Sequence, residues 1–132
     1  MNLFTVSSIL VTISCLSIAV LVSFKAKEKR TSLFWAAFCL VVAIWGIAGY
    51  KISLASNYDT AQLWWKIGLI SVLITPVMYT QFVFMYTSKT MPKFIFGLYA
   101  ITIVFILGIF RNFEFFMGNL NFIFSQFYWI DP

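Results

Sequence analysis

From Asn2 to Phe24 the chain carries no charged side chain, an uninterrupted run of 23 residues. About 20 apolar residues in a helix rising about 1.5 Å each suffice to cross the hydrocarbon core of a bilayer. In that core no water can satisfy the backbone, so a single segment must meet its own hydrogen bonds, which means a helix. A cleaved leader would place its positive charges ahead of a shorter apolar core. Here Lys25, Lys27, Lys29 and Arg30 follow the run, so the segment reads as a retained spanning helix with its N-terminus outside the cytoplasm.

Three further runs follow. Leu33 to about Leu54 meets its first charge at Lys51, close enough to one end for the ammonium to reach the interface. After the polar turn Ser56–Thr60, a third run extends to Thr87, with Asp59 or Thr60 as the expected N-cap and Trp64 and Trp65 at the height of an aromatic belt. Lys66 is expected to snorkel outward, and Pro76, lacking an N–H, is expected to kink the helix. A fourth run, Phe94 to Phe110, is near the lower length limit for a span. The expected fold is all-α: a polytopic membrane protein of about four transmembrane helices in an up-down bundle, over residues 1–111. Residues 112–132 hold eight aromatic side chains and no stretch long enough to cross, so they form an interfacial tail or an interrupted extracytoplasmic loop.

With 62% hydrophobic and 10% charged residues, the chain is far more apolar than a soluble domain, for which about 25% charged is usual. Its net charge of +5 is concentrated in short connections: six of nine Lys and Arg flank two loops, Lys25–Arg30 and Lys89–Lys93. That pattern sets orientation, with those loops cytoplasmic and both termini extracytoplasmic, and leaves no folded basic face for nucleic acid. There is no histidine, which removes the commonest general base and metal ligand. No acidic or basic residue falls near mid-span, where proton relays and voltage sensors need one. Neither catalytic residues, nor a metal site, nor a cofactor are expected. The expected partners are the lipid bilayer and other membrane helices, in a homo-oligomer or as further helices of a longer chain.

Small residues recur on the first two helices. Thr5, Ser8, Thr12, Cys15 and Ala19 share one stripe, and Ala36, Cys39, Ala43 and Gly46 another. Lipid tails are as apolar as leucine, so helices associate through close packing, which small side chains permit. The stripes should face each other, with Cys15 level with Cys39 and Ser8 with Gly46. Mid-membrane thiols at that depth read as packing residues. The third run carries the candidate site, a polar face around the proline comprising Ser71, Thr75, Pro76, Tyr79, Gln81 and Tyr86. It would line a cavity or serve as a moving element, or else bond to neighbouring helices.

Phe34-Trp35 through Trp45-Gly46 to Tyr50, the stretch Asn57–Gly68 with its Asp59-Thr60-Ala61 turn and Trp64-Trp65-Lys66, and Pro76 through Phe82-Val83 to Tyr86-Thr87 follow one another in order. Over Leu33–Phe116 this pattern resembles the seven-helix N-terminal membrane region of bacterial sensor histidine kinases. The resemblance implies a sensory, signal-transmitting region of a bacterial inner (plasma) membrane that passes a change to cytoplasmic domains. The chain departs from that pattern in holding about four helices rather than seven, and without histidine it has no phosphoacceptor. The alternative is a small structural or accessory subunit that packs against another membrane protein.

Overall fold

The computed structural model describes residues 3–25, 29–87, 93–113, 115, 118, 120–123 and 126–129. Four helices follow in order: α1 (Leu3–Lys25), α2 (Lys29–Ser53), α3 (Tyr58–Thr87) and α4 (Phe94–Arg111). All four are long and apolar enough to cross a membrane, so the chain is an all-α, multi-pass membrane protein. The extensive interfaces join sequential helices, α1 to α2, α2 to α3 and, less broadly, α3 to α4. The helices thus alternate in direction, as short connections between spans require.

The α1–α2 seam is built on the small residues. Thr5, Ser8 and Ala19 are buried on α1, and Ala36, Cys39, Ala43 and Gly46 on α2. A methyl group added at Gly46 would lie 2.9 Å from the Ser8 carbonyl oxygen and 3.1 Å from the Thr12 nitrogen. Those atoms are backbone and cannot swing aside. One at Gly49 would lie 2.6 Å from Ser8 Oγ. Near mid-span, Cys15 packs against the cluster of Ala19, Ala36 and Cys39. Both depth matches expected from the sequence, Cys15 with Cys39 and Ser8 with Gly46, therefore occur.

The hydroxyls on these helices turn inward to their own backbones. Ser8 Oγ donates to the Phe4 carbonyl at 2.8 Å, Thr12 Oγ1 to Ser8 at 2.9 Å and Ser23 Oγ to Ala19 at 2.7 Å. Each of these bonds meets a hydroxyl donor within its own helix, where hydrocarbon offers no other partner.

The structure differs from the expectation in three places. α2 starts at Lys29 rather than Leu33, because Lys and Arg are good helix formers and hydropathy marks only the buried part of a span. α3 starts at Tyr58. Its first backbone bond runs from Ala61 N–H to the Asn57 carbonyl at 3.2 Å, so Asn57 occupies the N-cap position. Asp59 and Thr60 lie inside the first turn, where the Asp59 carboxylate suits the positive helix end. Trp65 is buried rather than in an interfacial belt. It packs with Ile52, Leu69, Ile109 and Phe113, its ring centroid 6.2 Å from that of Trp45.

Beyond α4 the chain forms an antiparallel pair of strands, β1 (Leu120–Ile123) and β2 (Gln126–Trp129), with Leu120 opposite Trp129 and Ile123 opposite Gln126. Aromatic and β-branched residues favour such pairing, and β2 comes close to α2. The expected interfacial tail therefore contains a short hairpin, a shape that apolarity alone did not indicate.

Two substitutions test this packing. Gly46→Ala should destabilise the fold by about 1–3 kcal/mol, the usual cost of overpacking. At Gly97 an added methyl meets nothing within 4 Å, so Gly97→Ala should be neutral or stabilise by up to about 1 kcal/mol. Unfolding by SDS titration in mixed micelles measures both. Oxidation of the membrane-embedded protein should join Cys15 to Cys39 within one chain, visible as a mobility change on non-reducing gels.

Candidate functional site

α3 runs as an unbroken helix of 30 residues through Pro76. The residues singled out around that proline do not form one face. They divide into three environments, because steps of 100° carry Gln81 to the side of α3 opposite Tyr79.

The first environment is a seam with α2. Ser71 is buried and donates to the Ile67 carbonyl at 3.2 Å, and Thr75 Oγ1 donates to Ser71 at 2.7 Å. One turn toward Asn57 on this side, a methyl at Gly68 would lie 2.8 Å from the Trp45 ring and 3.3 Å from Ala48 Cβ. The hydroxyls thus bond within α3, not to neighbouring helices as expected. The carbonyl freed by Pro76 belongs to Val72, and the Thr75 bond is to Ser71 instead.

The second environment is aromatic. Trp35 and Phe38 of α2 stack at 5.1 Å, Trp35 lies 4.6 Å from Phe82, and Phe38 lies 6.1 Å from Tyr79. Phe82 stacks on Tyr86 at 6.1 Å. Tyr79 and Tyr86 remain 53% and 76% exposed, so they form the outer margin of a ring cluster rather than the lining of an enclosed cavity. Such pairs contribute about 0.5–1.5 kcal/mol each beyond their buried area.

The third environment lies between α3 and α4 and contains Pro76 and Gln81. α4 buries Ile95, Thr102 and Ile109, one residue every seven. Contacts two turns apart form a single narrow seam and leave gaps between them. One gap is an apolar crevice of about 300 Å³, lined by Leu73, Pro76 and Val77 on one side and Leu98, Thr102 and Phe105 on the other. At one margin Thr80 Oγ1 donates to the Pro76 carbonyl at 2.8 Å. Nearer the Thr87 end, Tyr99 donates its phenol hydrogen to Gln81 Oε1, tying the two helices together. Phe84 meets Phe94 edge to face at 5.5 Å.

Tyr99 was not singled out from the sequence, although a signal existed. Gln81 lies six residues before the end of α3 and Tyr99 five after the start of α4, so antiparallel helices place them at one depth. The same arithmetic paired the cysteines. Among the described residues no group of three or more His, Cys, Asp or Glu side chains could hold a metal ion. The crevice suits an apolar guest, and the Gln81–Tyr99 bond gives its neighbourhood one polar, geometrically specific tie.

That tie can be measured by a double-mutant cycle. Gln81→Leu and Tyr99→Phe should couple by about 0.6 kcal/mol, with about 1.7 kcal/mol as the ceiling for hydrogen bonds between membrane helices. Stability of the two single variants and the double variant in mixed micelles gives the coupling, and a value of zero removes the bond from the account.

No protein-family model, curated protein or solved structure matches this chain, so its site is read from its own residues.

Proposed function

We propose that this chain is a membrane sensor or signal-input region, the non-catalytic part of a bacterial sensor kinase or a truncated relative, in which displacement of α4 against α3 is the signal. The observation that carries this reading is a mechanical asymmetry. α1 and α2 meet through residues that leave no room for a methyl, whereas α4 touches α3 along one seam with a crevice of about 300 Å³ beside Pro76. A response to lipid or to an apolar ligand needs an element with two arrangements close in energy, and a sparsely packed helix offers that more readily than a jammed one. The resemblance of Leu33–Phe116 to sensor-kinase membrane regions points the same way.

In this reading the Lys25–Arg30 and Lys89–Lys93 connections face the cytoplasm of a plasma membrane, following the bias of positive charge. The connection after α3 then delivers the movement inward, and both termini lie outside. A second reading, a small structural or accessory subunit, is favoured by the broad apolar surface that α4 leaves open, including Ile101, Val104, Leu107 and Phe110. In that case the surface receives helices of another membrane protein.

Spin labels distinguish the two. A pair at Tyr86 and Phe96 reports the α3–α4 separation, and a pair at Leu21 and Leu33 reports α1–α2. In nanodiscs of different lipid thickness the first distance should shift by on the order of 1–5 Å, the range of known helix displacements, while the second stays fixed. An α3–α4 distance that is narrow and unchanged, together with a stoichiometric membrane partner on purification, would favour the accessory subunit instead.

A further inference from the structure

At the end of the molecule opposite the α1–α2 connection, α3 and α4 border a second, open cavity of about 430 Å³. Its polar lining comes from Gln62 and Lys66 of α3 and from Arg111 and Asn112 at the end of α4. Gln62 and Lys66 are four residues apart and project from the same side of their helix. Phe110, Phe113 and Phe115 complete the lining; Phe113 is buried, and the other two are largely exposed. The volume lies within the range of small-molecule sites, about 300–1,000 Å³.

Lys66 reaches toward the end of α4, the direction in which it was expected to snorkel. Its ammonium lies 5.3 Å from the centroid of the Phe113 ring, within the cavity wall. Lys51, a third cation at this end, lies 5.9 Å from the ring centroid of Trp64 and does not line the cavity. Among the described residues neither Lys66 nor Arg111 makes an ion pair. Asp59, three residues before Gln62, is exposed on the first turn of α3, and Glu114 lies outside the described residues. The carbonyls at the end of α4 are a partial negative charge, and Gly108 O is already met by the Asn112 N–H at 2.9 Å. Lys66 and Arg111 bring two full positive charges to the cavity lining.

We propose that this cavity binds a phosphate-type oxyanion, either free or carried on a lipid headgroup. Arg111 offers a planar fork of donors and Lys66 a point charge, a combination suited to phosphate oxygens. The Gln62 and Asn112 amides supply neutral donors. The plainer alternative is that Arg111 only offsets the helix end and Lys66 only stacks on Phe113. The proposal concerns binding alone and stands or falls separately from any signalling role.

The test uses the full chain in a neutral detergent, with inorganic phosphate and short-chain phosphatidylglycerol as probes and short-chain phosphatidylcholine as the zwitterionic control. Dissociation constants come from the rise in unfolding temperature with probe concentration. Lys66→Gln and Arg111→Gln should each weaken binding roughly tenfold or more, as expected for loss of a charge-assisted hydrogen bond. Gln62→Leu leaves every charge in place and should weaken binding severalfold, which guards against a charge variant that fails to fold. Lys51→Gln should leave binding unchanged. Binding of both phosphate and phosphatidylglycerol assigns a free oxyanion site, and binding of phosphatidylglycerol alone assigns a lipid headgroup site. If neither probe stabilises the native chain beyond phosphatidylcholine, or if Lys51→Gln weakens binding as much as Lys66→Gln, the proposal is overturned.

Discussion

The close approach of α1 and α2 backbones at Gly46 is the contact on which the remainder of the fold is built. In water, two apolar helices would be driven together by the release of surface from solvent. In lipid that drive is absent, and association depends on how near the backbones can come. Gly46 and Gly49 set that distance against Ser8 and Thr12, and the hydroxyls of those two residues bond to their own helix.

With one side of α2 committed to α1, its other side meets α3 through larger groups. Trp45 stands against Gly68, and Trp35 and Phe38 stand against Phe82 and Tyr79. α3 therefore has a settled side and an open one. The open side holds α4 by a seam repeating every seven residues, the Gln81–Tyr99 hydrogen bond and the buried group around Trp65, Ile109 and Phe113. Spaces remain above and below that group. One is apolar and lies beside Pro76; the other carries Lys66 and Arg111. Both cavities thus arise from one cause, the mismatch between a sparsely contacting helix and a long neighbour.

The candidate site was legible only in part. Ser71 and Thr75 were recognisable as unusual in a membrane span, yet a hydroxyl can bond within its own helix as readily as across a gap, and sequence does not distinguish the two. Pro76 was identifiable as a position lacking a donor, but its place on a crevice depended on where α4 lies. Tyr79 and Gln81 look like neighbours along the chain and face opposite sides in space. Lys66 illustrates the same limit, since its long stem allows several partners near the helix end, and only the structure places its ammonium beside Phe113.

What the sequence by itself determined is the number of spans, their alternation and the pairing of α1 with α2. Those follow from apolar runs whose length must match a bilayer, and from small residues at helical spacing, both local properties. What only the tertiary structure decided is the environment of each polar side chain on α3, the burial of Trp65, the place of Lys66 beside Phe113, and the hairpin after α4. These depend on which surface lies opposite, and a hydroxyl, an indole or an ammonium has several acceptable partners until a neighbouring helix removes all but one.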